Sequence, residues 1–202
     1  VALVGITTAN PEHWTRSFLE GYLKFDFPSR GKLYLVNPKG GTVEGFEVYR
    51  KIEEIPDTLD FVVGLVPSRG ASQLIEEAAT KGVRFIHFCT AGFSEIDDPE
   101  GKKLEADLLG AARKHNVRII GPNCLGIYCP ESRMSFSALF PREGGTIGFI
   151  SQSGGNANYL VRQAAMRGVR FSKVISIGNA CDLNESDFLE YLADDRKTKI
   201  IT

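Results

Sequence analysis

Short, unbroken apolar runs alternating with stretches of helical period constrain this chain more than any other feature. Residues 1–4 (Val-Ala-Leu-Val), 32–36, 61–66, 84–89 and 117–120 each have the length and apolar content of a buried strand. Between them, residues 11–25, 71–81 and 100–115 repeat apolar positions at the spacing of one helix face. In the first of these, Trp14, Phe18, Leu19 and Tyr22 fall on one side, with Asn10 placed as N-cap and Pro11 at the first helical position. Runs that are apolar throughout, rather than every second residue, suit a parallel sheet covered on both faces. Strand, helix, strand in repetition predicts a doubly wound, Rossmann-like α/β sheet over residues 1–128.

The pattern lapses between residues 129 and 144, where Pro130, Pro141 and Gly144-Gly145 interrupt any period, as a linker would. It resumes with strands at 146–150, 172–177 and 199–201 and helices at 155–167 and 186–192, so residues 145–202 are expected to begin a second α/β unit. The chain opens inside one apolar run and stops inside another, which predicts that both ends lie within structural units.

The 202 residues carry a net charge of −1, leaving no global field to draw in nucleic acid or an anionic membrane. No nucleic-acid or membrane partner is expected. No apolar run approaches the roughly 20 residues needed to span a bilayer. Cys89, Cys124, Cys129 and Cys181 are scattered, without zinc or redox spacing, which suits a reducing, cytoplasmic setting. An anionic ligand must therefore be held by local devices: a loop, a helix start or a single lysine.

Right-handed crossovers bring the carboxyl ends of parallel strands to one edge, and ligands bind there. The loops at that edge share a texture. Gly5, Thr7, Thr8, Ala9 and Asn10 follow the first strand, either as a pyrophosphate loop or as an ordinary turn capped by Asn10. Lys39 stands after the second strand, where NAD-binding folds place an acid. It suits a ribose phosphate, as in NADP or coenzyme A, or else is an exposed lysine in a Gly-rich turn. Val66 and Pro67 end the third strand with a flat apolar surface fit for an adenine, next to a possible helix cap at Ser68. Cys89, Thr90 and Ala91 end the fourth. Asn123 and Cys124 follow a Gly-Pro turn after the fifth, Asn123 offering both donor and acceptor. In the second unit, Ser151, Ser153, Gly154 and Gly155 join strand to helix as an anion site, or Ser153 simply caps the helix. Small residues at five successive strand ends together indicate a nucleotide-type ligand. His13, His87 and His115 lie in settings that suit structural roles, and Cys124 has no base near it in sequence.

Several segments, in this order and spacing, resemble the alpha part of ADP-forming acyl-CoA synthetases, relatives of succinyl-CoA synthetase. They are VNPK at 36–39, GFSE at 92–95, GPNCLG at 121–126, FISQSGG at 149–155, SIGNACD at 176–182 and YLADDRKTK at 191–199. The resemblance spans essentially the whole chain. It implies a CoA-binding Rossmann-like domain followed by an incomplete flavodoxin-like one. It also implies reversible conversion of acyl-CoA, ADP and phosphate to acid, CoA and ATP through an acyl phosphate and a phosphohistidine. By the same resemblance, residues 7–10 are the CoA pyrophosphate loop and Lys39 meets the nucleotide end. Val66, Pro67, Cys89, Thr90 and Ala91 are further contacts, Asn123 and Cys124 neighbour the thiol end, and residues 151–155 receive phosphate. Neither His13, His87 nor His115 matches the phosphohistidine motif, so that histidine, with ATP or ADP and magnesium on an ATP-grasp domain or beta-type subunit, is expected in a part of the enzyme outside this chain. A small carboxylic acid as co-substrate and an oligomeric enzyme follow from the same likeness. The run after SQSG, Gly155-Asn156-Ala157-Asn158, departs from the family's Ala- or Thr-rich pattern, and no acyl contact is carried over there. Two other classes stay open: a CoA-binding regulatory module without catalysis, and an NADP-dependent reductase, which the missing GxGxxG disfavours.

Overall fold

The apolar runs pair as their continuity requires. In the computed structural model, which describes residues 1–202, β1 (Ala2–Val4), β2 (Tyr34–Val36), β4 (Phe46–Tyr49), β5 (Phe61–Gly64), β6 (Phe85–Phe88) and β7 (Arg118–Ile120) form a parallel sheet. A short β3 (Gly41–Val43) adds to one edge antiparallel to β4, giving the order β3-β4-β2-β1-β5-β6-β7. The β3–β4 hairpin is an addition to the sequence expectation. Its two-residue turn places Glu44 and Gly45 at φ 49° and 81°, the left-handed geometry that matches strand twist. After β1 the chain winds to one side of the sheet, and from β5 it winds to the other. The switch lies between β1 and β5, where their departing loops open a crevice.

Helices α2 (Ala71–Thr80) and α3 (Pro99–His115) cover one face, with Leu74, Ile75, Ala78, Leu108 and Ala112 buried on the sheet. The opposite face carries α1 (Arg16–Lys24). This helix begins five residues later than the periodicity predicts. Asn10 does not cap it: the Asn10 Oδ1 accepts the Glu12 N–H at 2.9 Å and closes a separate turn. Thr15 takes the N-cap position but makes no side-chain cap bond, because its hydroxyl accepts the Thr7 N–H at 3.2 Å and meets His13 Nδ1. Trp14 therefore lies outside the helix and is 49% exposed, while Phe18, Leu19 and Tyr22 are buried as expected.

The second sheet contains β8 (Gly126–Tyr128), β9 (Ile147–Ser151), β10 (Phe171–Ser176) and β11 (Ile200–Ile201) in the order β11-β9-β10-β8. β8, assigned by sequence to the end of the first unit, instead pairs antiparallel with β10. Helix α4 (Gly154–Met166) links β9 to β10, and α5 (Glu185–Asp194) links β10 to β11 behind a capping box formed by Asn184 and Asp187. Residues 129–144 are packed rather than linking freely. Phe136 and Phe140 stack edge-on, Tyr128 meets both Phe140 and Phe25, and Ser135 presses so close to α1 that a Cβ on Gly21 would lie 2.3 Å from its carbonyl oxygen. The core under α1 thus runs without a break into Ala157, Val161, Phe171 and Val174 of the second unit. No helix is long and apolar enough to cross a membrane.

His87 sits in this shared core, 1% exposed, its Nε2–H donating to the Cys124 carbonyl at 3.0 Å. Burial pushes its pKa down to about 4, so the ring is neutral. In the unfolded chain the ring titrates near 6.5 and takes up a proton that the folded state refuses. Its contribution to stability is therefore complete above about pH 6.5 and is lost as pH falls toward 4, by about 3 kcal/mol in all. Denaturant midpoints of the wild type should fall through that window, and His87→Gln should flatten the slope. Histidine NMR should show the His87 ring uncharged at pH 5, and a charged ring there refutes the assignment.

Candidate functional site

The five loops expected at the sheet edge are joined in strand order by hydrogen bonds. Gly5 N donates to Val36 O at 2.8 Å, and Asn37 Nδ2 donates to Ile6 O at 2.8 Å, tying the β2 loop to the β1 loop. Gly5, at φ 97°, lies so near β5 that a Cβ would stand 2.6 Å from Leu65 O. The Thr90 hydroxyl donates to Val66 O, joining the β6 loop to the β5 loop. Asn123 N donates to Thr90 O at 2.9 Å, joining the β7 loop to both.

The β1 loop has already used part of its donor set. Thr7 N donates to Thr15 and Ala9 N to the Thr7 hydroxyl, which leaves the Thr8 and Asn10 N–H groups without an acceptor in the chain. Ala9 and Asn10 are exposed, Thr7 and Thr8 half-buried. Behind the loop stands Arg16, 8% exposed, reaching Thr7 O at 3.4 Å and Glu44 Oε1 at 2.8 Å. Sequence reasoning did not single it out, since a lone arginine in a helix carries no signal. Lys39 is exposed at the end of the same row, in a turn closed by its own N–H on Asn37 Oδ1 at 2.9 Å. Pro67 is exposed and Val66 half-buried.

The β7 loop meets the second unit. Asn179 N donates to Pro122 O at 2.9 Å and Cys181 N to Gly121 O at 3.1 Å. Asn179 Nδ2 reaches one carboxylate oxygen each of Glu95 and Glu105, both at 2.7 Å, and its Oδ1 accepts from Asn123 at 3.4 Å. Glu95 in turn accepts the Gly92 and Phe93 N–H groups, and these hydrogen bonds hold its carboxyl below the usual range despite burial. Asn179, Glu95 and Gln152, whose amide donates to Gly178 O at 3.3 Å, were also missed as individual residues. They stand inside quoted motifs, which was the available signal.

Between the two units lies a cavity of about 460 Å³ lined by Cys89, Asn123, Cys124, Leu125, Gln152, Ser153, Gly154 and Gly155. It brings two separately expected segments, 123–124 and 153–155, onto one wall. Ser153 is the N-cap of α4, its hydroxyl accepting the Asn156 N–H at 3.2 Å. The Gly154 and Gly155 N–H groups, in the first helical turn, are then left as donors. Gly154 abuts Leu125 so tightly that a Cβ would fall 2.7 Å from the Leu125 Cγ. Ser151 is not on the wall; its hydroxyl donates to Ser153 O at 2.9 Å. Burial pushes the Cys89 thiol up to about 12 and Cys124 well above its usual value, so neither is a thiolate at neutral pH. The wall offers neutral donors and shape, not a nucleophile.

Gly178, at φ 58°, would place a Cβ 2.0 Å from Pro122 O, whereas Gly168, at φ 76°, has nothing within 4 Å. Gly178→Ala should cost at least about 3 kcal/mol in urea unfolding and Gly168→Ala only about 1 kcal/mol, the left-handed backbone penalty alone. Equal losses would mean that the two units are not held at that turn.

Comparison with known proteins agrees with this architecture. The family model described as CoA binding domain matches residues 1–130, and that described as succinyl-CoA ligase like flavodoxin domain matches residues 144–202. The chain is 41% identical over 173 residues to acetate–CoA ligase [ADP-forming] of Methanocaldococcus jannaschii, covering 85% of this chain and 24% of that protein. It is 34% identical over 207 residues to the alpha subunit of acetate–CoA ligase [ADP-forming] I of Pyrococcus furiosus, covering 100% of this chain and 44% of that one. A dinucleotide-forming acetyl-coenzyme A synthetase 1 from Ca. Korarchaeum cryptofilum, solved with phosphate and ADP, superposes with a TM-score of 0.89 at 29% identity, over 99% of this chain and 42% of that one. The chain thus spans less than half the length of these relatives. By its family models, the chain belongs to the CoA-binding domain family and continues into the succinyl-CoA ligase like flavodoxin domain.

Proposed function

We propose that the loop edge binds coenzyme A, and that this chain is the CoA-binding part of an ADP-forming acyl-CoA synthetase that interconverts acyl-CoA, ADP and phosphate with acid, CoA and ATP. The observation that carries this reading is the meeting of residues 123–124 with residues 153–155 on one cavity wall. A thiol arriving along the loops would there come face to face with a helix start suited to phosphate. In this reading the nucleotide end lies by Lys39, the pyrophosphate takes the free N–H groups of Thr8 and Asn10, and the adenine lies against Val66 and Pro67. Thr90 and Ala91 line the path onward, and Cys89, Asn123 and Cys124 surround the pantetheine end. Gly154 and Gly155 supply N–H donors to a phosphate.

CoA supplies the thiol that accepts the acyl group; the chain's residues orient it and shield it. Asn123 is pinned by its N–H on Thr90 and its amide on Asn179, so it can present the rest of its hydrogen-bonding capacity without reorganisation. The raised thiol pKa values of Cys89 and Cys124 keep them from competing with CoA for an acyl group. ATP or ADP with magnesium, an ATP-grasp partner and the phosphorylated histidine belong, in this proposal, to other parts of the enzyme. The names of the relatives, acetate–CoA ligases [ADP-forming], support acetate or another small acid as co-substrate.

Calorimetry should show CoA bound more tightly than NAD or NADPH. Lys39→Ala should weaken CoA by tenfold to a hundredfold while leaving dephospho-CoA nearly unchanged, the loss of one charge-assisted contact to the ribose phosphate. Tighter binding of NADPH than of CoA would overturn the proposal, and equal losses for both CoA forms would move Lys39 off the phosphate. None of the three histidines lines the cavity, and His87 is committed to Cys124 O. Radiolabelled ATP should therefore leave no label on His13, His87 or His115, and a labelled histidine among them would refute this arrangement.

A further inference from the structure

A second cavity, of about 420 Å³, lies between the two units away from the loop edge. Phe61 and Phe85, the first residues of β5 and β6, face Ile127 of β8, Ile175 of β10, and Phe188 and Tyr191 of α5 across it. Ten of its fourteen lining residues are apolar, in the size range of small-molecule sites. The polar members are Asp60, Ser132, Lys173 and Asp187. Lys173, 7% exposed, is neutralised by Asp195 at 2.6 Å and stands 5.9 Å from the Tyr191 ring centre. Asp187 and Tyr191 also wall an adjoining recess of about 720 Å³ with Glu131, Glu190, Asp194, Asp195, Arg196 and Lys197. Together the two hollows carry six carboxylates (Asp60, Glu131, Asp187, Glu190, Asp194 and Asp195) against three cations (Lys173, Arg196 and Lys197). Glu131 is matched by Lys197 at 3.9 Å and Asp195 by Lys173, which leaves Asp60, Asp187, Glu190 and Asp194 outside any ion pair against one unpaired cation, Arg196; Asp187 accepts the Asn184 N–H in the α5 capping box.

An aromatic-walled apolar chamber opening into a recess with excess negative charge selects one kind of molecule. We infer that this is a binding site for an organic amine with an aromatic or branched apolar body and an extended ammonium-bearing arm. The body fills the chamber between Phe61, Phe85 and Phe188. The arm passes Tyr191, whose ring face favours a cation, and ends among Asp187, Glu190 and Asp194. Nothing in this site touches Lys39, Asn123 or the start of α4, so it stands whether or not the edge binds CoA.

Dansylcadaverine, an aromatic fluorophore on a five-carbon amine arm, is a suitable probe. Its emission should rise and shift to the blue with saturation, and the binding should weaken with added salt. The N-acetylated probe, which lacks the charge, should bind roughly three- to tenfold more weakly. Glu190 and Asp194 are exposed, so Glu190→Gln with Asp194→Asn should leave the fold intact and remove that preference. Ile127→Trp should fill the chamber and abolish binding of both probes, with circular dichroism confirming the fold. Excess CoA should not displace the probe. Signal without saturation, equal affinity for the two probes, or displacement by CoA would each overturn the inference. So would a Leu-Lys repeat peptide that binds more tightly and displaces the probe, which would make the surface a protein-docking face.

Discussion

The approach of Gly178 to Pro122, backbone against backbone, sets the geometry at the loop edge. No side chain fits at residue 178, and the left-handed backbone there turns the Asn179 N–H onto Pro122 O. The Asn179 amide can then reach Glu95 and Glu105, while Asn123 is held from the other side by Thr90. One turn thus connects the β6, β7 and α3 regions of the first unit to the second. The cavity between Cys124 and Gly154 takes its width from that connection, because both of its walls are fixed relative to the same few peptide groups.

The electrostatics of the edge follow from what was left uncharged. Burial holds both thiols of the cavity in their neutral form, and His87 beneath them is neutral for the same reason. The start of α4 adds peptide dipoles without a lysine or arginine on the wall. Such a wall offers several modest hydrogen bonds and no full charge, in keeping with the phosphate role proposed for it. Full positive charge is kept away from the cavity wall: Lys39 stands exposed by the β2 loop, and Arg16 is spent on Thr7 O and Glu44.

Most of the parallel sheet was legible because a strand buried on both faces leaves no polar alternation to confuse it, as residues 61–64 and 85–88 illustrate. The edges were less so. Residues 41–43 form a three-residue strand whose exposed face has no apolar pattern, and only the Glu44-Gly45 turn announces it. Residues 126–128 fall at the end of the first unit in sequence and carry no strand pattern of their own, yet they pair with β10, distant in sequence. The start of α1 was misjudged because Asn10 and Pro11 are valid cap signals, and the competing use of the Thr15 hydroxyl by Thr7 is a tertiary contact that no local pattern records. At the candidate site, glycines and small residues marked the loops and motifs enclosed Gln152, Glu95 and Asn179, whereas Arg16 acts through contacts across elements and carried no sign of its own.

The interface between the units is built with two different ends, and the reason lies in β7 and β10. Ile120 and Ile175 line the apolar chamber, and within three residues each strand reaches the polar edge, at Gly121-Pro122-Asn123 and Ile177-Gly178-Asn179. Behind them the core of α1, Phe136, Phe140 and Val161 is continuous across both units, which resists sliding of one sheet over the other. Both hollows draw on β7 and the loop that follows it: Ile120 lines the chamber, and Asn123 and Cys124 line the polar cavity. Along the chain, the polar cavity and the apolar chamber are therefore separated by no more than the Gly121-Pro122 turn.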